Sequence, residues 1–261
     1  MAEQTLSQEQ GRGKVYSFGQ IIHNTDEVER LAQSGLETVE TADEVESGTV
    51  IIRSHGAAPQ QIAELKSRGL NIVDATCVLV KRVQQIAQEL ERDGYKVIVI
   101  GDEDHPEVQA VVACVQDVVV VGNESSLENL PANGKFGVVC QTTQGLDRLA
   151  QMLRAIGKHG FGELKVINTL CRESMTRQEF AIELCRRVDV MFVLGGLQSA
   201  NTRKLAELCK AYNSDTYHLQ NWNELPLDVL RGKKTAGVTA GASTPDRVIA
   251  EFVENLKAFS G

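Results

Sequence analysis

The chain of 261 residues carries 35 acidic and 27 basic side chains, a formal charge of −8, which speaks against the basic surface that a nucleic-acid partner requires. With 42% hydrophobic and 24% charged residues it has the composition of a globular protein that buries one to three compact lobes, and not that of a long disordered segment. No run reaches the roughly 18 to 20 apolar residues that span a bilayer, and the opening MAEQTLSQEQGRGK lacks the apolar core of a signal peptide. The expected setting is therefore cytoplasmic, with no membrane partner.

Short β-branched runs alternate with segments of helical period, the signature of parallel sheets covered by helices. In chain order, strands are expected over 14–19 (KVYSFG), 49–54 (TVIIRS) and 70–75 (LNIVDA), with a helix in PQQIAELKSRG between the last two. A long helix in VLVKRVQQIAQELERDG leads to a strand over 96–102 (KVIVIGD). The helical PEVQAVVACV leads to one over 117–122 (DVVVVG), which another over 135–142 (KFGVVCQT) follows. GLDRLAQMLRAIG precedes 164–169 (LKVINT), ESMTRQEFAIELCRRV precedes 188–196 (VDVMFVLGG), and ANTRKLAELCKAY precedes 215–219 (DTYHL). A last strand over 234–241 (KTAGVTAG) leads into the helical TPDRVIAEFVENLKAF. Several strands are apolar without alternation, which suits burial on both faces. Ten strands exceed one small sheet.

Polar residues gather where a strand hands over to a helix: Ser54-His55-Gly56, Thr76-Cys77, His105-Pro106-Glu107, Gln141-Thr142-Thr143, Leu170-Cys171, Ser199-Ala200-Asn201 and Gly241-Ala242-Ser243. In open parallel sheets these carboxyl ends of strands are where ligands bind. LNIVDATC and LKVINTLC also echo one another, each a strand, a small polar turn and a cysteine that opens a long helix, as duplicated βα lobes would.

Six cysteines are too sparse for a disulfide scaffold. Cys77 and Cys171 stand at expected helix starts, where N–H groups and the helix dipole favour the anionic sulfur that a soft metal takes. Small cysteines packed between helix and strand explain each one equally well. No CxxC occurs, so a zinc ribbon has no support, whereas an iron–sulfur cluster accepts thiolates from separated segments. Cys114, Cys185 and Cys209 fall on apolar helix faces and read as packing. His23, His55 and His105, three of five histidines, end strands or sit in the following turns. With Thr142, Thr143, Ser199, Asn201 and Ser243 they supply neutral donors suited to phosphate, although N-capping accounts for the hydroxyl and amide residues as well. Glu107 follows Pro106 at a helix start, and beside a threonine hydroxyl it could form a proton relay. Neither GxGxxG nor GxxxxGK[ST] is present, which weakens the reading as an ordinary nucleotide- or sugar-binding α/β protein.

Eight runs, IIHN (21–24), RSHG (53–56), DATCVLV (74–80), GDEDHPEV (101–108), CQTTQG (140–145), NTLCRESMTRQ (168–178), SANTRKL (199–205) and TAGASTPD (239–246), occur in the order found in the LytB-type 4-hydroxy-3-methylbut-2-enyl diphosphate reductases. The chain resembles that family over about residues 13 to 258. The resemblance implies an α/β fold of mostly parallel sheets, with three αβ lobes in a trefoil around a central cavity. The lobes would span 1–76 with 246–261, then 77–168, then 169–245. It further implies a [4Fe–4S] cluster that passes two electrons from ferredoxin or flavodoxin to an allylic diphosphate. With two protons the substrate loses its hydroxyl as water and gives isopentenyl and dimethylallyl diphosphates. Carried over by position, His23, His55, Ser199, Asn201 and Ser243 would hold the diphosphate, and His105 would lie beside the substrate's hydroxyl end or its diphosphate. Glu107 with Thr142 would relay protons, while Cys77 and Cys171 would be two of three cluster ligands.

The chain also departs from the family pattern. The family's first cluster cysteine lies in a glycine-rich GFC loop, and here no cysteine precedes Cys77. The opening AEQTL resembles the tail of the helix that follows that loop, so two readings stand: a start at an internal methionine, or an altered member that binds an allylic diphosphate without a complete cluster. Val78 replaces a usual proline, Arg172-Glu173-Ser174 replaces a small aromatic-Ala-Thr stretch, and Leu197, Gln198 and Ala200 replace Lys, Asn and Ser. Cys140 is the one spare thiol near the expected cavity, and its buried strand run reads as packing.

Overall fold

The computed structural model describes residues 1–9, 13–22, 24–128 and 130–259. The chain divides into two compact units, Met1–Ile21 with Leu31–Cys171 and Ile22–Arg30 with Arg172–Gly261. The first unit contains two four-stranded sheets. Strands β1 (Val15–Phe18), β2 (Leu36–Val39), β3 (Thr49–Ile52) and β4 (Asn71–Asp74) pair in the order β2-β1-β3-β4, all parallel. Helices α1 (Ala2–Glu9), α2 (Thr25–Gln33) and α3 (Pro59–Ser67) belong to the same stretch of chain. Strands β5 (Lys96–Ile100), β6 (Val118–Val121), β7 (Lys135–Cys140) and β8 (Glu163–Val166) form the second parallel sheet, in the order β6-β5-β7-β8. Helices α4 (Val78–Arg92), α5 (Pro106–Val112) and α6 (Leu146–His159) alternate with them.

The second unit is built on β9 (Val190–Leu194), β10 (Thr216–Leu219) and β11 (Ala236–Ala240), again parallel and ordered β10-β9-β11, with α7 (Arg172–Cys185), α8 (Ala200–Tyr212) and α9 (Asp246–Ala258). One rule runs through all three sheets: the first strand is central, the second flanks it on one side and the third on the other. The strand order therefore reverses between β1 and β3, between β5 and β7, and between β9 and β11, and such reversals open a crevice at the strands' carboxyl ends. LNIVDATC and LKVINTLC are the corresponding last strands of the first two sheets with the turns that leave them, which gives their likeness a structural basis.

Burial on both faces explains the unbroken apolar runs. In the first sheet Tyr16, Phe18, Val50 and Ile52 share one core with Ala57 and Leu65, while Val15 and Ile51 face Leu31 and Leu36 on the other side. In the third, Phe192 and Leu194 pack with Leu219 and Phe252, and Met191 and Val193 with Ala181, Cys185, Leu205 and Cys209. The packing role read for Cys185 and Cys209 is where the structure puts them. Cys114 is half-buried, its Sγ donating to the Ala110 carbonyl at 3.1 Å.

All ten predicted strands are found, nine of them trimmed at their ends and the one expected over 164–169 shifted to Glu163–Val166. The eleventh, β2, escapes the sequence because Glu37 and Thr38 are exposed, leaving two apolar residues at its ends and no periodic signal. Residues 246–258, grouped with the first lobe from sequence, form α9 in the second unit. Its Phe252 meets Phe192 and Trp222 at ring-centroid separations of 5.2 and 5.3 Å, so the aromatic face of α9 covers the third sheet. No helix among the described residues is long and apolar enough to cross a membrane.

Candidate active site

At the crevices of the first unit, six of the residues singled out from sequence are joined by successive contacts. Cys77 is the N-cap residue of α4, and its backbone N–H donates to the Ser54 carbonyl at 2.9 Å. The next residue, His55, meets His105 ring to ring, edge on, with centroids 5.2 Å apart. His105 caps α5: its Nδ1 accepts from the Glu107 backbone N–H at 3.2 Å. A nitrogen that accepts is unprotonated, so in neutral His105 the ring hydrogen sits on Nε2. The Glu107 carboxyl grips Thr142 twice, with Oε1 accepting from the backbone N–H at 2.7 Å and Oε2 from the hydroxyl at 2.9 Å. The Thr142 carbonyl in turn accepts the Cys171 N–H at 2.8 Å.

Glu107 is 2% exposed. Burial pushes its carboxyl pKa up, and the two hydrogen bonds from Thr142 oppose that shift. A carboxyl held between these influences is easier to protonate than an exposed glutamate while still being hydrogen-bonded as the anion. Cys140 lies beside it, 0% exposed, with its thiol pushed up to about 12 by burial and then by the Glu107 charge. That favours the neutral thiol, in line with packing rather than ligation.

In the second unit, Ser199 caps α8, its Oγ accepting from the Thr202 N–H at 3.3 Å. A capping hydroxyl uses a lone pair and keeps its hydrogen, so capping and ligand binding do not compete. Asn201 and Ser243 are half-buried. The turns that carry these residues are held close by small contacts. The Thr244 hydroxyl donates to the Leu194 carbonyl at 3.0 Å. A Cβ on Gly195 would come within 2.6 Å of that hydroxyl oxygen, and one on Gly241 would overlap the Thr202 hydroxyl. His23 lies outside the described residues.

Gln141 is a residue whose part was not read from sequence. It is 1% exposed; its Oε1 accepts from the Asp102 N–H at 3.0 Å and its Nε2 donates to Thr143 Oγ1 at 3.2 Å. It thereby ties the turn after β5 to the turn after β7. The available signal was an uncharged polar residue ending an apolar strand run. Gly101 packs on it so closely that a Cβ there would lie 2.9 Å from the Gln141 side chain.

Cys77 is exposed and Cys171 half-buried, both of the right chemistry for an iron–sulfur cluster and both at helix starts. Among the described residues, however, no group of three or more His, Cys, Asp or Glu side chains is placed to hold a metal ion. Two thiols do not complete the ligand set of a [4Fe–4S] cluster, so the residues present do not fit the whole group.

Parallel sheets with polar residues at their strand reversals, among them a buried carboxyl–hydroxyl pair near two imidazoles, define an α/β protein of the class that places its ligand site at the strands' carboxyl ends. The model of the LytB protein family matches residues 1–257, and the chain belongs to that family, as its eight motifs led us to expect. A protein of Pelobacter propionicus named 4-hydroxy-3-methylbut-2-enyl diphosphate reductase is 45% identical over 244 residues, covering 93% of this chain and 87% of its own length. One of the same name from Geobacter sulfurreducens is 42% identical over 248 residues, with 95% and 88% covered. A solved structure of (E)-4-hydroxy-3-methyl-but-2-enyl diphosphate reductase superposes with a TM-score of 0.71 at 35% identity, over 99% of this chain and 94% of that one. The Plasmodium falciparum E-1-hydroxy-2-methyl-but-2-enyl-4-diphosphate reductase gives 0.91 at 26% identity, over 98% and 83%.

Proposed function

We propose that this chain is a 4-hydroxy-3-methylbut-2-enyl diphosphate reductase of the non-mevalonate isoprenoid route. The observation that carries the proposed chemistry is the buried Glu107–Thr142 pair, two residues from the His105 cap, in a chain up to 45% identical to relatives of that name. The conversion breaks the substrate's C–O bond, takes up two electrons and two protons, and releases water. One proton goes to the departing hydroxyl and one to an allylic carbon, and protonation at either end gives the two five-carbon diphosphates.

Glu107 supplies protons through the Thr142 hydroxyl, which can accept from the carboxyl and donate to substrate oxygen in one motion. Burial keeps that proton on the enzyme until the leaving oxygen takes it. His105 lies beside the substrate's hydroxyl end or its diphosphate. The diphosphate is bound by His23, His55, Thr142, Ser199, Asn201 and Ser243, neutral donors that hold an anion without a basic patch, in keeping with a chain of charge −8. Cys77 and Cys171 are proposed as thiolate ligands of an iron–sulfur centre, with a ferredoxin or flavodoxin as electron donor and the cytoplasm as compartment. Because their set is incomplete, no step is derived through that centre.

The test is anaerobic turnover of 4-hydroxy-3-methylbut-2-enyl diphosphate with a low-potential one-electron donor after iron and sulfide reconstitution, with products read by mass spectrometry. Isopentenyl and dimethylallyl diphosphates are expected. Calorimetric binding of the substrate without either product favours the second reading, an altered member that holds the diphosphate, which the two-thiol set supports. Under the same reconstitution Cys77→Ser and Cys171→Ser should lose bound iron and Cys209→Ala should retain it. Equal iron in all three removes the ligand assignment.

A further inference from the structure

The first unit contains a cavity of about 260 Å³ that the reductase chemistry does not use. Its walls come from the carboxyl end of the first sheet and from the first turns of α3 and α5. Phe18 and Gly19 follow along β1, Glu40 follows β2, and Arg53 follows β3. Gly19 has φ +71°, and a Cβ there would overlap the Arg53 guanidinium. A bare backbone at this position therefore leaves the space in which the guanidinium lies.

Arg53 is half-buried. It makes no hydrogen bond or ion pair to another described residue, and burial lowers its pKa while the Glu40 carboxylate alone pulls the other way. A partly desolvated guanidinium with its donors unused is a binding element in waiting, because its planar fork matches a carboxylate with two parallel hydrogen bonds. Gln61 adds a donor: its Oε1 accepts from the Ala58 N–H at 3.0 Å, which leaves Nε2 free. Gln109 adds an acceptor, since its Nε2 donates to the Glu103 carbonyl at 2.6 Å and its Oε1 remains. Phe18, Ala57 and Ala110 supply an apolar wall.

We propose that this cavity binds a small organic monocarboxylate, its carboxylate held by Arg53 and Gln61 and its carbon chain lying along Phe18 and Ala110. The volume falls below the roughly 300–1,000 Å³ of sites for drug-sized ligands, which limits the occupant to a few carbons. Glu40 on the wall decides the charge. One negative group is matched by Arg53, whereas the second charge of a phosphate dianion would meet the Glu40 carboxylate. The cavity also touches the active site, since Gly56 and Pro106 line it and are the residues directly after His55 and His105. Occupancy should therefore be sensed at the two imidazoles, and a ligand here would act as an effector.

The test uses the full chain without substrate, so that its outcome does not depend on turnover. Sodium butyrate and, separately, inorganic phosphate are titrated and followed by calorimetry and by the histidine ring resonances in NMR. Butyrate is expected to saturate, with shifts at His55 and His105. Arg53→Met should weaken it at least tenfold, and Arg53→Lys, which keeps the charge and loses the fork, should fall between. Circular dichroism melts of both variants establish that they fold. Failure of butyrate to saturate at millimolar concentration, unchanged affinity in Arg53→Met, or phosphate binding that is tighter than butyrate's and is itself lost in Arg53→Met would each overturn the proposal.

Discussion

Glu107→Gln is expected to lower turnover by about 10²–10⁴-fold while leaving substrate affinity within a few-fold. The amide preserves the geometry. Its oxygen can still accept from the Thr142 N–H, and its NH₂ can donate to the Thr142 hydroxyl oxygen, which accepts as readily as it donates. What is lost is the proton. The same substitution reports on stability with a definite sign. Burial raises the folded-state pKa of Glu107, whereas in the unfolded chain it titrates as an ordinary carboxyl. Between those two values the folded state binds more protons, so wild-type stability falls as pH rises through the window. The glutamine variant lacks this dependence and should gain on the wild type as pH increases from mildly acidic to alkaline. Urea midpoints at several pH values measure it; a constant difference between the two proteins would mean that the carboxyl is not perturbed by folding.

Phe252→Ala is the substitution expected to cost most in stability. The ring is 0% exposed and sits between Phe192 and Trp222, so its removal opens a cavity between α9 and the third sheet that backbone on both sides prevents from collapsing. Such truncations cost roughly 3–5 kcal/mol, a large part of the 5–15 kcal/mol that typically holds a domain together. Chemical denaturation should show the loss in the second unit, with far smaller change in the first. A cost under about 1 kcal/mol would mean that the ring is not packed as described.

The fold was legible where burial on both faces wrote an apolar run into the chain, as at Ile98 to Ile100 or Met191 to Leu194. It was illegible at β2, whose two buried residues are its ends. It misled at α9, because a terminal helix can return to any sheet and its aromatic partners, Phe192 and Trp222, lie far away in sequence. At the site, the residue types at strand ends were visible, and so was their kind of chemistry. Their contacts were not: nothing local to RSHG or DEDHPEV announces that His55 and His105 meet edge to edge, or that Glu107 is sealed from water. Gln141 reads from sequence as one more turn residue, and only its hydrogen bond to the Asp102 N–H ties it to the turn after β5. Arg53 was read only as a letter in a motif, because its half-buried setting over Gly19 depends on two strands being neighbours.

Cys77 and Cys171 are fixed through their main chain, Cys77 to the Ser54 carbonyl and Cys171 to the Thr142 carbonyl, and any residue type except proline can make such bonds. The sulfurs therefore owe their location to the path of the backbone and little to whichever side chains flank them. Evolutionary drift at Val78, which is 76% exposed, or across Arg172-Glu173-Ser174 can proceed without dislodging either thiol.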